Sequence, residues 1–209
     1  MKVCIINNIY PPYDRGGAEQ VVVKTVEGLI QAGHHVVVIT SSPEAESLES
    51  KDSLKIYRNR PHNIFFYTEA HHHGWLSRFF WHFFDTFNVS SSTWVRDILI
   101  KEAPDVVQTH NLMGLSFLIP KTIRSLGLRH VHHVHDVQLV EPSAMILKAK
   151  EFSWRYNGLP TKLYTWVMKR LMGSPSVVIS PSQFLKDFYG SRGFFPHSRF
   201  EIVRNPVTF

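Results

Sequence analysis

The chain has 209 residues, of which 44% are hydrophobic and 13% aromatic, enough apolar material for the core of one large domain or two small ones. A formal net charge of +6 favours acidic partners such as nucleotides or anionic lipid headgroups, but the basic residues are scattered and no nucleic-acid-binding motif accompanies them. No apolar stretch reaches the length that a bilayer span needs, and the single cysteine, Cys4, cannot form an internal disulfide, which fits a reducing cytoplasm.

Strands and helices alternate along the chain. Apolar runs predict strands at residues 2–7, 36–40, 54–58, 105–109, 130–134, 176–180 and 200–203. Helical spacing of apolar residues predicts helices at residues 16–29, 75–87, 95–101, 115–126, 159–172 and 181–189, the last with a proline in its first turn. The polar stretch 41–51 is predicted to be a loop, and residues 90–93 to separate two helices or cap the second. The order predicts a Rossmann-like α/β domain, a mostly parallel sheet with helices on both faces.

Two adjacent glycines, Gly16 and Gly17, stand between the first strand and the first helix. Without a Cβ atom they let the backbone approach a ligand closely and adopt positive φ. The helix start behind them presents unpaired N–H groups and the positive end of a dipole, which suits a phosphate. The alternative is a plain tight helix start. The pattern is not the G-x-G-x-x-G of dinucleotide-binding domains, which argues against an NAD-dependent oxidoreductase or epimerase, the alternative enzyme class.

Three segments in this order resemble the N-terminal half of a family 4 glycosyltransferase of the GT-B fold: Gly16-Gly17-Ala18-Glu19, residues 104–111 and residues 180–185. The resemblance covers essentially the whole chain. It implies a Rossmann-like domain at residues 1–203, the start of a linker at 204–209, and a C-terminal donor-binding domain absent from this chain. The implied enzyme is retaining, needs no cofactor, and moves a sugar from a nucleotide-diphosphate donor to a hydroxyl acceptor, in cell-envelope polysaccharide or glycolipid synthesis. The chain alone is expected to be inactive.

The resemblance also implies roles for residues that follow strand ends, where open parallel sheets bind ligands. It marks His110 as the catalytic-site histidine, which would hydrogen-bond a sugar hydroxyl or stabilise positive charge at the anomeric carbon. A hydrogen-bonded structural histidine is the alternative. The donor phosphate or sugar is expected to face Gly16 and Gly17. The residues implied on the acceptor side are Glu19, Asn111, His135 and Asp136.

Two of these acceptor-side residues have a structural alternative. Glu19 lies in the first turn of its helix, where a carboxylate is favoured by the dipole whether or not it meets a substrate. Asp136 is suited to accept a hydrogen bond from a backbone amide. The loop that follows also departs from the family, because Val140-Glu141-Pro142 stands where many relatives carry Cys-Pro.

Thirteen histidines raise the question of a metal site. On the predicted strand His130 and His132 share one face, whereas His133 and His135 share the other, so the four cannot hold one ion. The run at residues 71–73 has no Cys or Asp nearby and only Glu69 among the glutamates. The sequence therefore predicts no metal site.

The predicted helix 75–87 carries seven large rings: Trp75, Phe79, Phe80, Trp81, Phe83, Phe84 and Phe87. We expect most of them to be buried, but seven rings exceed one helical stripe, so some should face outward. Aromatic surface interleaved with basic residues, repeated at residues 152–156 and 164–170, suits an anionic membrane surface or a lipid-linked glycan acceptor. The hypothesis is a cytoplasmic protein held peripherally at the inner face of the plasma membrane. The alternative to the transferase function is a non-catalytic membrane-docking half of a split, two-chain transferase.

Overall fold

The computed structural model describes residues 1–13, 16–145 and 153–206. Within them, eight strands form one sheet in the spatial order β3-β4-β2-β1-β5-β6-β7-β8. The strands are β1 (Lys2–Ile6), β2 (His35–Ser41), β3 (Ser47–Lys51), β4 (Leu54–Asn59), β5 (Val106–Thr109), β6 (His130–His133), β7 (Val177–Ser180) and β8 (Arg199–Ile202). Every pairing is parallel except that of β3 with β4.

Helices cover both faces of this sheet, which confirms the predicted Rossmann-like architecture. They are α1 (Gly17–Gln31), α2 (Trp75–Thr86), α3 (Val89–Glu102), α4 (Ile119–Ser125), α5 (Trp154–Asn157), α6 (Leu159–Met172) and α7 (Gln183–Gly190), with a 3₁₀ helix at Tyr67–His72. Alternate residues of β1 face opposite layers. Val3 and Ile5 belong to the apolar cluster that contains α1, whereas Cys4 and Ile6 belong to the cluster that contains α3 and α4.

The strand order changes direction at β1. The chain first builds outward from β1 through β2 and β4, then returns to the other side of β1 with β5 and continues through β6 to β8. At the carboxyl end Ile6 pairs with Thr109, and Thr109 pairs with His132. The loops that follow β1, β5 and β6 therefore leave the sheet side by side, at the kind of switch point where open α/β sheets bind ligands.

Residues 41–51 are not the loop that we predicted, because they include β3. All five residues of β3 are exposed, and the strand forms an antiparallel hairpin with β4 through a turn in which Asp52 has φ of 48°. An edge strand that packs on no core has no need for alternating apolar residues. Its polar sequence therefore gave no strand signal.

Two helix starts differ from the prediction. Helix α3 begins at Val89, because the Asn88 side-chain oxygen caps it by accepting from the backbone nitrogen of Ser91 at 3.0 Å. Residues 90–93 therefore lie inside the helix rather than before it, and buried Ser92 contacts the Thr122 hydroxyl at 2.7 Å. Helix α7 begins at Gln183 with Ser182 as its cap, so Pro181 precedes the helix.

The helix predicted at 115–126 begins only at Ile119. Gly114 has φ of +95°, and a Cβ there would lie 2.9 Å from Cβ of Tyr67, so the chain turns tightly before the helix. Leu115 and Phe117 lie in this loop and are buried in the core. Their apolar side chains therefore gave the sequence a helix-like pattern before the helix begins.

Most rings of α2 are exposed, contrary to the expectation that they would be buried. Trp81 is 2% exposed and donates from Nε1 to the carbonyl of Phe65 at 2.7 Å, while the other six rings are each at least 40% exposed. The buried side of the helix consists of Trp81, Asp85 and Thr86. Among the described residues, no helix is both long and apolar enough to cross a membrane.

Candidate active site

Three histidines meet at the carboxyl end of the sheet. Because Thr109 pairs with His132, the residues that follow each of them, His110 and His133, point to the opposite face. Nδ1 of His110 lies 2.8 Å from Nε2 of His135, and the rings of His133 and His135 have centroids 4.4 Å apart. We call His110, His133 and His135 the histidine cluster.

The other two histidines of β6 lie on the opposite face. The Thr109 hydroxyl contacts Nε2 of His130 at 2.7 Å and Nδ1 of His132 at 2.9 Å. The predicted division of the four histidines between two faces is thus confirmed. The sequence analysis missed that His110 joins one of the pairs, since this follows only when β5 and β6 are known to be neighbours.

Burial keeps the histidine cluster neutral near pH 7. Desolvation lowers the pKa of His110 well below its ordinary value of 6.5, and the other histidines lower it further. The same desolvation lowers the pKa of His135 to about 3 and that of His133 to about 4. The Gln108 amide nitrogen lies 3.1 Å from Nε2 of His110. Nε2 of His110 therefore accepts a hydrogen bond from Gln108, while Nδ1 of His110 donates to His135.

Two buried asparagines fix the loop after β5 to the end of β1. The Asn8 backbone nitrogen donates to the carbonyl of Asn111 at 2.8 Å, and the Asn111 nitrogen donates to the side-chain oxygen of Asn7 at 3.1 Å. His110 also donates from its backbone to Ile6 at 2.9 Å. The sequence analysis did not assign Asn7 and Asn8 to the site; two polar residues directly after a buried apolar strand were the available signal.

Asp136 lies just beyond the histidine cluster. One carboxylate oxygen accepts from the backbone nitrogen of Gln138 at 2.8 Å, and the Asp136 carbonyl accepts from the Tyr189 hydroxyl at 2.6 Å. Burial raises the pKa of Asp136 to about 6, and the negative charge of Glu19 raises it as well. The backbone contact that we gave as the structural alternative is present. Two acceptor-side candidates, Asp136 and Glu19, are also close enough to interact electrostatically.

The glycine pair forms the start of α1. Gly16 is the N-cap, with φ of −162° and no side-chain hydrogen bond, and Gly17 is the first helical residue. The expected positive φ is wrong, because the chain enters the helix through extended backbone. A Cβ on Gly17 would meet nothing within 4 Å, so the space beside this helix start is open. Asp14 and Arg15 lie outside the described residues.

A groove of about 360 Å³ lies beside Glu19, within the size range of small-molecule sites. It is lined by Ile9, Glu19, Tyr67, Thr68, Ala70, His71 and Arg78. Glu19 and Arg78 bring opposite charges to it, from α1 and α2 respectively. The sequence analysis proposed Glu19 but did not assign Tyr67 or Arg78 to the site, since the 3₁₀ helix at Tyr67–His72 was not predicted.

Two sequence comparisons match the chain to known proteins. A family model described as Glycosyltransferase Family 4 matches residues 15–208. An uncharacterized 42.6 kDa protein in the cps region of Klebsiella pneumoniae is 27% identical over 209 residues, which are 99% of this chain and 56% of that protein.

Solved structures share the fold at low identity. Arabidopsis thaliana UGT89C1, complexed with UDP-L-rhamnose, aligns with a TM-score of 0.60 and 14% identity over all of this chain and 52% of its own. Trehalose-6-phosphate synthase OtsA aligns with a TM-score of 0.57 and 12% identity over 99% of this chain and 50% of its own. The chain thus spans about half the length of the proteins that it matches.

Proposed function

The chain belongs to glycosyltransferase family 4, and on that premise we propose that it forms the acceptor-side half of a retaining glycosyltransferase. The enzyme would transfer a sugar from a nucleotide-diphosphate donor to a hydroxyl acceptor. The observation that carries this proposal is the convergence of the loops after β1, β5 and β6 at the switch point of the sheet. These loops bring the open helix start at Gly17, the histidine cluster and Asp136 to one rim.

Gly16 and Gly17 would face the donor diphosphate. The first N–H groups of α1 have no side-chain cap from Gly16, and the space beside Gly17 is open to a ligand. Donated hydrogen bonds and the helix dipole would stabilise the negative charge that grows on the leaving phosphate. A UDP-sugar is the ligand of the structural relative UGT89C1, which agrees with a nucleotide-sugar donor here.

In the proposed reaction the acceptor hydroxyl attacks the anomeric carbon from the side that the phosphate leaves. The bond from that carbon to the acceptor oxygen forms as the bond to the phosphate oxygen breaks, and the phosphate takes the hydroxyl proton. His110 would serve as a neutral hydrogen-bonding group near the anomeric centre once a sugar hydroxyl replaces the Gln108 amide as the partner of its Nε2. A lowered pKa keeps this histidine from adding positive charge beside a developing cation. This step needs no metal ion or cofactor.

The acceptor would occupy the groove beside Glu19 and extend toward Asn111, His135 and Asp136, which line a separate pocket together with His110. A volume of about 360 Å³ suits a sugar unit, and the carboxylate of Glu19 and the guanidinium of Arg78 are suitable partners for its hydroxyls. Arg78 belongs to α2, the helix with the exposed rings. A lipid-linked glycan would thus reach the groove from the membrane that this helix meets.

The exposed rings support attachment to an anionic membrane. Trp75 is 79% exposed and Phe79 62%, and a second group at α5 and α6 includes Trp154 at 74%. Phe152, which we placed in that second group, lies outside the described residues. Basic residues accompany both groups, Arg78 in α2 and Arg155, Lys162, Lys169 and Arg170 in α5 and α6. We propose a cytoplasmic enzyme at the inner face of the plasma membrane, acting in cell-envelope polysaccharide or glycolipid synthesis. The cps-region relative agrees with that role.

Catalysis would require a second, donor-binding domain, because the chain spans 56% of its relative and about half of the solved structures. The test is release of nucleotide diphosphate from a panel of nucleotide-sugars by the full-length protein, with membrane extract of the native host as acceptor. We expect release with one donor, a product of unchanged anomeric configuration, and no turnover by residues 1–209 alone. Binding of NAD without any nucleotide release would instead favour the oxidoreductase class.

A further inference from the structure

A second groove lies between α3 and α4, apart from the candidate active site. One stripe of each helix lines it, within residues 89–96 of α3 and residues 118–125 around α4. These residues line neither the pocket of His110 nor the groove beside Glu19. The volume is about 260 Å³, close to the lower end of the range for small-molecule sites. We call it the α3–α4 groove.

The direction of the two helices sets the order of chemical groups along this groove. Helix α3 ends shortly before β5 and α4 shortly before β6, and these two strands are parallel. Both helices therefore start toward the carboxyl edge of the sheet and run side by side in one direction. The hydroxyl contact between Ser92 and Thr122 at 2.7 Å fixes their register. Val89 and Leu118 consequently lie about one turn nearer the carboxyl edge than this contact.

The end of the groove at the carboxyl edge is apolar and adjoins the exposed rings of α2. Val89 is 66% exposed and follows Phe87, which is 40% exposed, by two residues, a separation of at most about 7 Å. The ring of Phe87 contacts that of Phe83, with centroids 5.4 Å apart. The apolar surface of α2 therefore continues to Val89 and Leu118.

The other end of the groove is basic. Lys121 stands beside the hydroxyl contact, and Arg96 lies about one turn past Ser92. Arg96 contacts Asp97 at 3.6 Å, too far for a hydrogen bond, and within the described part of the chain Lys121 has no ion pair. No carboxylate is among the described residues that line the groove. Two exposed cations and neighbouring hydroxyl groups are thus available to an anion such as a phosphate.

We propose that the α3–α4 groove binds the phosphodiester headgroup of an anionic phospholipid, with the acyl chains directed toward Val89 and the rings of α2. Val89 and Arg96 are seven residues apart, which is about 10 Å along the helix. The polar region of one bilayer leaflet is about 5–8 Å thick. With Val89 at the hydrocarbon boundary, Arg96 and Lys121 therefore reach headgroup depth. A free phosphate would use the cations but not the apolar end.

This inference rests on the proposed membrane attachment, and sedimentation of the full-length protein with vesicles of phosphatidylcholine and phosphatidylglycerol tests it. We expect Arg96→Gln/Lys121→Gln to weaken binding at least about tenfold. The matched control is Lys51→Gln/Arg129→Gln, which removes the same charge from exposed positions at the amino edge of the sheet. It should change binding less than about threefold, because distant charges are screened. Equal weakening in both variants would overturn the proposal, since net charge alone would then explain the binding.

A soluble lipid separates the groove from the membrane attachment. Calorimetric titration with dihexanoyl phosphatidylglycerol, below its micelle concentration, should show one lipid per chain and at least about tenfold weaker binding to Arg96→Gln/Lys121→Gln. If the wild type binds this lipid in that way but does not sediment with vesicles, the attachment fails and the headgroup site stands. If Arg96→Gln/Lys121→Gln sediments like the wild type, the attachment stands and the site is overturned. Inorganic phosphate that binds as tightly as the soluble lipid would also overturn it.

Discussion

Both carboxylate oxygens of Asp85 lie 3.0 Å from the backbone nitrogen of Gly114. This contact joins α2, the helix with the exposed rings, to the loop that follows β5. Gly114 lies in that loop, four residues after His110. Asp85 is fully buried, and burial raises the pKa of its carboxyl group to about 8, while the Gly114 hydrogen bond lowers it. The surface that we assign to the membrane is thereby fixed to the candidate active site.

We expect Asp85→Ala to destabilise the protein by about 1–3 kcal/mol, because the Gly114 N–H is left buried without an acceptor. Asp85→Asn keeps an oxygen in the same place and should cost clearly less. Urea unfolding of both variants measures the difference. Equal losses in the two variants would mean that side-chain packing, rather than the hydrogen bond, is what Asp85 contributes.

Five buried histidines, the three of the histidine cluster and the two on the opposite face of β6, make stability sensitive to acid. Burial is the first cause of the lowered pKa of His110, His130, His132, His133 and His135. The unfolded chain binds protons below about pH 6.5 whereas these folded sites do not, so stability is present above that pH and is lost as the pH falls. Each buried histidine contributes up to about 1.4 kcal/mol per pH unit.

Unfolding free energies between about pH 7 and about pH 5 test this expectation. His133→Gln should reduce the slope by up to about 1.4 kcal/mol per pH unit, the contribution of one histidine. His35→Gln, at an exposed position, should leave it unchanged. A slope that is the same in both variants would contradict the assignment. Asp85 acts in the opposite direction, because a raised carboxyl pKa lowers stability as the pH rises from about 4 to about 8.

Gly17 and Gly28 form a matched pair on α1. A Cβ would meet nothing within 4 Å at either position, so both Gly→Ala variants should fold and gain up to about 1 kcal/mol of helix stability. Only Gly17→Ala places a methyl group where we expect the donor phosphate. It should lower kcat/KM for the donor by about tenfold, or about 1.4 kcal/mol, with Gly28→Ala unchanged. Unchanged kcat/KM for the donor in Gly17→Ala would show that the donor phosphate does not bind at this helix start.

Vesicle sedimentation tests the exposed rings of α2. Full burial of a Phe side chain is worth about 1.5–3 kcal/mol, so Phe79→Ser/Phe83→Ser should weaken binding to anionic vesicles at least about tenfold. Ile100→Ser is the control, since Ile100 is similarly exposed on α3. Binding by the wild type should fall as salt rises. Failure of the wild-type protein to bind vesicles at low salt would contradict the membrane assignment.

Local pattern was enough to predict the parallel sheet and its main helices. Helix α6 has the predicted bounds, β6 and β7 differ from theirs by one residue at one end, and β2 differs by one residue at each end. Prediction failed where tertiary packing decided the outcome. The polar edge strand β3 gave no apolar signal, and the buried loop before α4 resembled a helix because its apolar residues pack on the core.

The candidate site shows the same limit. The family resemblance identified His110, His135 and Asp136 one by one in segments that follow strands, but their contacts depend on which strands are neighbours. The β5–β6 register joins His110 to His133, and the 3₁₀ helix at Tyr67–His72 completes the groove beside Glu19. Neither of these relationships is encoded in a short stretch of sequence.

The central claim is that His110 stands in the active site of a sugar-transfer enzyme. The most direct measurement is nucleotide-diphosphate release by the full-length protein and by its His110→Gln variant, with folding of both checked by thermal unfolding. We predict that the variant folds and loses at least about 100-fold in kcat/KM, the range of a positioned hydrogen-bonding group. A folded variant that releases nucleotide diphosphate as fast as the wild type would contradict the account.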